Sequence, residues 1–451
     1  MKQVPKREEL ITERSQLLEF FQSGIKHENE FKVGVEYEKI GINRHNYTAV
    51  EYDKLCQIIK TFKKTGEWEF IHEDHNIMGL QGELGSITLE PGSQTEFSMA
   101  PAKTIHDIYN SYSQYSKITA GIGEEIGVSW LGYGIQPLST YDNIQIIPKK
   151  RYKIMTDYLP TKSPEPFIMM RESASIQISY DFSSEEDATK KLRTSLALSP
   201  IITAMFSNSP IRGGVDTGYK SYRAYGWLRN DQDRCGLISK KLFCGEEFSF
   251  NDYVDVILDL PMFFINKDEN WINMNGTPFR EYLKNGYKGY KATISDWLLH
   301  STTFFPETRL NNYVEIRNCD CQKLDMALAA PALWKGIMYN HDALDAAWDL
   351  VKDFSWDEIQ ELRYSVPKLA LEAKVKNIKV VDLAKELFNI SEKALKIQPN
   401  MNEKGQNESI YLEKLKELLF NNKTPADIIL KNWHNNWNKD LSKLVEHLKI
   451  S

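Results

Sequence analysis

The chain has 451 residues, a formal net charge of −6, 41% hydrophobic residues and 26% charged residues. These values are typical of a globular protein, and the negative charge argues against a nucleic-acid partner, since phosphate backbones select for basic surfaces. No run of eighteen apolar residues occurs and the N-terminus lacks an apolar signal core, so we expect no membrane association. The five widely spaced cysteines do not resemble a secreted disulfide framework, and we therefore expect a cytoplasmic location.

Predicted helices and short strands alternate over the first 320 residues. Helices are predicted at 6–23, 51–65, 103–127 and 184–206, the last capped by Ser183 or Ser184, and strands at 32–42, within 70–100, at 167–182 and at 312–318. From about residue 323 helical spacing dominates, at 325–339, 342–352, 356–364, 367–373, 380–388 and 408–420. This order predicts an α+β fold as a single domain over residues 1–451, with a core at about 30–340 and a helical C-terminal portion at about 323–451.

The usual phosphate-binding signatures are absent. The segment GGVDTGYKS (213–221) resembles a P-loop, but Tyr219 separates Gly218 from Lys220 and breaks the Gly-Lys-Ser element. Any bound nucleotide is therefore expected to be held by carboxylate-bound metal and arginines.

Glutamates share one face of the first predicted strand. Glu36 and Glu38 have the same parity, while Val33 and Val35 point to the opposite face. Two adjacent anions repel each other unless a cation or water compensates. Taken alone, the pair fits a solvent-exposed strand face better than a functional site.

A second carboxylate strand follows at residues 87–101. Glu90, Gln94 and Glu96 share parity, although Pro91-Gly92 predicts a turn or bulge between them. An exposed hairpin and a functional site explain this segment equally well.

Two later strands add cations and an amide to the polar face. In residues 167–182, Arg171 and Gln177 share parity and Ile176 and Ile178 face the other way. In residues 304–318, Glu315 and Arg317 share parity, and Arg309 precedes them. Arginine pairs with carboxylates and phosphates in bidentate fashion, which suits substrate recognition.

Together the four strands predict a sheet with one apolar face and one charged face that forms a binding cup. Glutamate oxygens suit magnesium or manganese rather than zinc. The loop at 208–236 adds Arg223, Trp227, Arg229 and Arg234 within twelve residues, and a long ordered loop of this kind is often functional.

Five groups of segments resemble the plant and proteobacterial type of glutamate–cysteine ligase, in the same order from about residue 30 to residue 340. They are VEYEKIG (35–41), ITLEPGSQTEFS (87–98), ASIQISYDFSSEEDATKKLR (174–193), NSP with GYKSYRAYGW and DRCG (208–236), and FFPETRLNNYVEIRNCD (304–320). The resemblance implies a glutamine-synthetase-like catalytic fold, in which a curved antiparallel sheet with flanking helices is lined by metal-binding glutamates.

The resemblance also implies roles for individual residues. The expected magnesium ligands or their near neighbours are Glu36, Glu38, Glu90, Glu96 and Glu315. The residues expected to hold the glutamate substrate are Arg171, Arg223 and Trp227, and those expected to face the phosphates of ATP or an acyl phosphate are Gln177, Arg309 and Arg317.

The implied activity is ATP- and Mg²⁺-dependent joining of the γ-carboxylate of L-glutamate to the amine of L-cysteine through γ-glutamyl phosphate, the first step of glutathione biosynthesis. The expected assembly is a monomer or homodimer. The run Glu172–Ser175 replaces the Thr-Cys-Thr type run of the family, which leaves open a γ-glutamyl ligase of the same fold with another amine acceptor. A non-catalytic protein of this fold has no reason to keep five clustered anions at a cost in stability.

Overall fold

The computed structural model describes residues 8–244 and 247–450. Nine of the described strands form one antiparallel sheet in the order β14-β15-β7-β1-β5-β4-β3-β2, with β6 also paired to β1. The strands of this sheet are β1 (Val33–Asn43), β2 (Trp68–Glu73), β3 (Asn76–Gly82), β4 (Gly85–Leu89), β5 (Gln94–Met99), β6 (Val128–Leu131), β7 (Ser175–Tyr180), β14 (Thr308–Leu310) and β15 (Val314–Asp320). The shorter strands are β8 (Ile211–Arg212), β9 (Val215–Asp216), β10 (Cys235–Gly236), β11 (Phe264–Lys267), β12 (Asn270–Asn273), β13 (Phe305–Pro306), β16 (Lys374–Val375) and β17 (Ile378–Lys379).

Helices precede, separate and follow these strands. Those of the first 320 residues are α1 (Ser15–Gln22), α2 (Tyr52–Lys63), α3 (Ile105–Ile126), α4 (Lys150–Tyr158), α5 (Glu185–Met205), α6 (Tyr222–Leu228), α7 (Phe250–Asp259), α8 (Phe279–Asn285) and α9 (Ile294–Ser301). The later ones are α10 (Leu324–Ala327), α11 (Ala329–Met338), α12 (His341–Asp349), α13 (Trp356–Leu369), α14 (Val380–Ile397), α15 (Glu413–Phe420), α16 (Pro425–Asn435) and α17 (Leu441–Leu448). The α+β class, the antiparallel sheet with flanking helices and the helical C-terminal portion are confirmed.

One face of the sheet is apolar and covered by helices. The rings of Tyr37 on β1 and Tyr112 on α3 lie 4.4 Å apart, and those of Phe97 on β5 and Tyr115 on α3 lie 4.2 Å apart. On the same face, Tyr180 of β7 donates a hydrogen bond to the carbonyl of Pro331 in α11. Burial of this face by α3 and α11 leaves the opposite, polar face of the same strands to line a cavity.

Local signals located several elements correctly. Thr104 caps α3 by accepting from the Asp107 N–H, and Ser184 caps α5 by accepting from the Asp187 N–H. The helix predicted at 6–23 begins only at Ser15, because the segment around Leu10 bridges Thr293 instead; the first seven residues of the chain, including the start of that predicted helix, lie outside the described part.

Other predicted elements differ from the structure. The helix predicted at 356–364 continues to Leu369 as one helix, α13, whose start carries a Ser355–Glu358 capping box. The remainder of the helix predicted at 367–373 is a short 3-10 turn, Ala370–Glu372. Helices α4, α6, α7, α8, α9, α16 and α17 were not predicted, and α6 lies within the segment 208–236 that was expected to be a loop. In the described residues no helix has the length and apolar character needed to span a bilayer. The assignment of the whole chain to a single domain stays a prediction.

Candidate active site

A cavity of about 380 Å³ lies over the polar face of the sheet. Strand residues form one wall, and side chains from α4, α6, α9 and the segment between α9 and β15 form the others. Of the residues predicted to form the site, the lining includes Glu36, Glu38, Glu90, Glu96, Gln177, Arg223, Trp227, Arg309 and Arg317. Residues that lie far apart in the chain therefore meet at one place.

Antiparallel pairing places two glutamates side by side. Glu38 on β1 lies directly opposite Glu96 on β5, and residues directly opposite each other share a face. One oxygen of Glu38 accepts from the backbone N–H and hydroxyl of Ser175, at 2.5 and 2.9 Å. Glu96 accepts from the Ser98 hydroxyl at 2.9 Å. These bonds orient the carboxylates but do not neutralise them.

Burial and mutual repulsion disfavour the charged forms of the β1 glutamates. Burial, reinforced by Glu96 and Glu315, raises the pKa of Glu36 to about 8. Burial, reinforced by Glu96 and Glu90, raises the pKa of Glu38 to about 7. A cation between these side chains would remove the repulsion, so the donor set fits a bound divalent metal.

The residue Glu315 has a different role in this structure, since it is held by cations. Arg309 donates to both Glu315 oxygens in bidentate fashion, at 2.9 and 3.0 Å, and Arg317 donates to one of them at 2.5 Å. Burial alone would raise the pKa of Glu315, but Arg309 and Arg317 hold it below its usual value. Glu315 therefore orients arginines and lies next to the other glutamates.

Arg317 is the better placed of the two arginines to meet a ligand. Its Nη1 also donates to Gln177 Oε1 at 2.5 Å, so Gln177 and Glu315 both hold this nitrogen of the guanidinium. Arg309, in contrast, donates from Nη1 to the carbonyls of Thr302 and Phe304. Arg309 thus supports the wall of the cavity, and Arg317 presents its guanidinium to it.

Helix α6 supplies Arg223 and Trp227 one turn apart, so both reach the cavity from the same helix face. Arg223 donates from Nη2 to the carbonyl of Arg317 at 2.9 Å. Within the described part of the chain, the buried Nε of Arg223 and Nε1 of Trp227 have no hydrogen-bond partner. Two unused donors beside a cavity suit an anionic ligand.

Arg151, which was not among the residues predicted to form the site, also lines the cavity. It lies on α4, and its guanidinium carbon is 5.2 Å from the centre of the Tyr152 ring. Its buried Nε has no hydrogen-bond partner among the described residues. The helical spacing of Arg151 and Met155, both of which face the cavity, was the sequence signal that could have located it.

Arg171 does not line this cavity. The strand predicted at 167–182 is shorter, because Ile168–Glu172 form a π-helix turn and β7 begins only at Ser175. Strand parity therefore does not apply to Arg171, whose guanidinium instead donates to the Tyr141 carbonyl and packs on the Phe167 ring.

The carboxylates do not form a closed metal cage. Among the described residues, no group of three or more His, Cys, Asp or Glu side chains has the geometry to hold a metal ion by itself. Magnesium is commonly bound by one or two carboxylates together with substrate phosphates rather than by a cage of protein ligands. The pairing of Glu38 with Glu96 fits that mode of binding.

Comparison with known proteins identifies related sequences along almost the whole chain. The model of glutamate-cysteine ligase family 2 matches residues 32–447. The chloroplastic glutamate–cysteine ligase B of Oryza sativa subsp. japonica is 33% identical over 438 residues, which cover 96% of this chain and 87% of the relative. The chloroplastic glutamate–cysteine ligase of Arabidopsis thaliana is 32% identical over 438 residues, covering 96% and 82%.

Solved structures share the fold at lower identity. The glutamate–cysteine ligase of Francisella tularensis in complex with AMP aligns with a TM-score of 0.57 and 16% identity, covering 92% of this chain and 88% of that chain. A bifunctional glutathione synthetase from Pasteurella multocida aligns with a TM-score of 0.52 and 13% identity, covering 96% and 52%.

The expectation of a cytoplasmic location is contradicted by these relatives. The curated relatives from Oryza sativa and Arabidopsis thaliana are named as chloroplastic proteins. Composition and charge did not distinguish the two compartments, because both accept a globular chain without a disulfide framework.

Proposed function

Because the chain belongs to glutamate-cysteine ligase family 2, we propose that this cavity joins the γ-carboxylate of L-glutamate to the amine of L-cysteine and consumes ATP. The protein is an ATP-dependent glutamate–cysteine ligase, and γ-glutamylcysteine is its product. The names of its relatives do not favour the alternative of another amine acceptor.

One observation supports this function above the others. The Glu38–Glu96 pair faces a cavity whose lining also includes Arg151, Arg223 and Arg317. A ligase that activates a carboxylate with ATP must bind a metal-associated polyphosphate and an anionic amino acid side by side. The alternation of carboxylates and guanidinium groups supplies both kinds of contact.

Glutamate is held by the α6 side of the cavity. Arg223 and Trp227 offer unused N–H donors there. Arg151, which lines the cavity from α4, replaces Arg171 as the third residue that binds glutamate. A clamp on the α-carboxylate leaves the γ-carboxylate as the end that reaches ATP. Positioning of this kind replaces a rare bimolecular encounter with a prearranged one.

The γ-carboxylate oxygen attacks the γ-phosphorus of ATP, ADP leaves, and γ-glutamyl phosphate forms. Arg317, which Gln177 and Glu315 hold in place, stabilises the charge on the transferring phosphoryl group. Glu36, Glu38, Glu90 and Glu96 are the carboxylates that would hold magnesium, which when bound would neutralise charge on the phosphates. The amine of cysteine then attacks the acyl carbon and phosphate leaves.

The test is product formation by the purified protein. ATP, magnesium and glutamate are incubated with cysteine or with a panel of other amines, and the dipeptide is detected by mass spectrometry. We expect γ-glutamylcysteine and one ADP for each dipeptide. Turnover with another amine and none with cysteine would contradict the assignment of cysteine as the acceptor. Light scattering on the same sample tests the expected monomer or homodimer.

A further inference from the structure

The first turn of α6 is held by a polar cluster outside the cavity. The first N–H groups of a helix have no partner within the helix, and a short helix is destabilised if they stay unpaired. In α6 the N–H of Tyr222 is paired with the carbonyl of Ser209. The next two N–H groups, those of Arg223 and Ala224, are paired with the hydroxyls of Ser209 and Ser221, at 3.2 and 3.1 Å.

Asp320 orients both hydroxyls. Ser209 donates to its Oδ2 at 2.7 Å, and Ser221 donates to its Oδ1 at 2.9 Å. A hydroxyl has one hydrogen, so each serine that donates to Asp320 must present its lone pairs to the helix. The carboxylate at the end of β15 therefore determines how the N–H groups of Arg223 and Ala224 are satisfied.

The position of Asp320 is itself tightly defined. Its side chain is buried, and the N–H of Asn208 donates to Oδ2 at 2.8 Å. Gly134 packs against the carboxylate so closely that a Cβ at that position would lie 2.7 Å from the carboxyl carbon. The backbone at Asn208 and at Gly134 therefore leaves the Asp320 carboxylate little freedom to move.

The same carboxylate lies beside the arginine that α6 presents to the cavity. Arg223 Nη1 is 3.8 Å from Asp320 Oδ1, while its Nη2 donates to the Arg317 carbonyl. We propose that Asp320 is a positioning residue for the glutamate substrate: through Ser209 and Ser221 it fixes the first turn of α6, and by its charge it holds the Arg223 guanidinium at the cavity wall. This inference rests on the proposed role of Arg223 in binding glutamate.

The experiment is steady-state kinetics of Asp320→Asn, which keeps the size of the side chain and removes its charge and one acceptor. We expect the KM for glutamate to rise about tenfold or more, as for other small misplacements of a binding group, while kcat and the KM for ATP change less than about twofold. An unchanged KM for glutamate would overturn the proposal.

Asp187→Asn is the matched control for loss of stability. Asp187 is also a buried carboxylate in the first turn of a helix, where it accepts from the Ser183 N–H and pairs with a cation, Lys191. Unlike Arg223 beside Asp320, neither of these partners lines the cavity. Both variants should lower the melting temperature, and only Asp320→Asn should raise the KM for glutamate. A rise of equal size in the two variants would assign the effect to general destabilisation and contradict a positioning role.

A double-variant comparison shows whether Asp320 acts through Arg223. In an Arg223→Lys background, Asp320→Asn should raise the KM for glutamate much less than in the wild-type background, because residues that act as a unit are not additive. Equal effects in both backgrounds would overturn the proposal. If Asp320→Asn does not fold, Ser221→Ala, which keeps the carboxylate but removes one relay, is tested in both backgrounds with the same two outcomes.

Arg223→Lys by itself separates this inference from the proposed function. If that variant keeps the wild-type KM for glutamate, the assignment of Arg223 to glutamate fails. If it raises the KM and Asp320→Asn does not, only the positioning role of Asp320 fails.

Discussion

Glu38 on β1 lies directly opposite Glu96 on β5, so that two carboxylates from distant parts of the chain share one face of the sheet and one cavity. The two carboxylates repel each other, and they destabilise the folded protein unless a cation binds between them or one of them takes up a proton. The predictions on metal and on pH follow from this relationship.

Loss of either carboxylate should weaken the use of magnesium. We expect Glu38→Gln and Glu96→Gln each to raise the magnesium concentration for half-maximal activity at least about tenfold. Mutation of residues that only hydrogen-bond to metal ligands already lowers metal affinity by about that factor. Titration of the activity with magnesium at saturating ATP measures this half-maximal concentration. Glu69→Gln, on an exposed part of β2, is the control and should titrate like the wild type. Unchanged titrations of both cavity variants would contradict the metal assignment.

The contribution of Glu36 to the stability of the ligand-free protein should fall as the pH rises from about 5 to about 8. The folded protein keeps the proton of Glu36 to about pH 8, whereas an unperturbed carboxyl loses it near 4.5. Between these values Glu36 keeps its proton in the folded state and loses it in the unfolded state, so its contribution to the free energy of unfolding decreases with pH.

Urea unfolding at a series of pH values measures this slope. The free energy of unfolding of Glu36→Gln should rise relative to that of the wild type as the pH increases over this window, and Glu69→Gln should keep the wild-type pH dependence. Identical slopes for the wild type and Glu36→Gln would show that Glu36 does not retain its proton. Magnesium should stabilise the wild type more at pH 8 than at pH 6, since metal binding requires the deprotonated carboxylates.

Arg317 should matter for the chemical step more than for binding. We expect Arg317→Lys to lower kcat about 100-fold, which is typical for loss of one donor to a developing charge, with a small change in the KM for glutamate. Arg280→Lys, at an exposed pair with Asp259, is the matched control and should leave both constants unchanged. If Arg317→Lys raised only the KM, the assignment of Arg317 to the phosphoryl group would be wrong.

Arg151 should bind substrate, and Arg171 should not. We expect Arg151→Ala to raise the KM for glutamate about tenfold or more, since charge-assisted hydrogen bonds to a carboxylate are among the stronger ones. Lys150→Ala changes the neighbouring residue, which pairs with Asp74 on the surface, and it should have wild-type kinetics. A larger effect from Arg171→Ala than from Arg151→Ala would contradict the placement of these two arginines.

Local regularities predicted much of the sheet and part of the site. The shared face of Glu36 and Glu38 follows from the two-residue period of a strand, and the caps of α3 and α5 follow from Thr104 and Ser184. The ordered family motifs then pointed to the residues that meet over the polar face.

Features that depend on tertiary structure were not predicted. The register that sets Glu38 against Glu96 joins segments with no local signal between them. Arg171 was misplaced because a π-helix turn interrupts the expected strand, and Arg151 was missed because a Lys-Lys-Arg run looks like a solvated loop. The contacts of Asp320 join β15 to two loops distant in sequence, which no periodicity reveals.

The most direct test of the central claim is the fate of oxygen in the γ-carboxylate. Glutamate labelled with ¹⁸O at both γ-carboxylate oxygens is incubated with the protein, ATP, magnesium and cysteine, and the inorganic phosphate and dipeptide are analysed by mass spectrometry. An acyl-phosphate route predicts one labelled oxygen in each phosphate released and one retained in the γ-glutamyl amide. Phosphate without label, formed together with the dipeptide, would contradict activation of glutamate by phosphoryl transfer in this cavity.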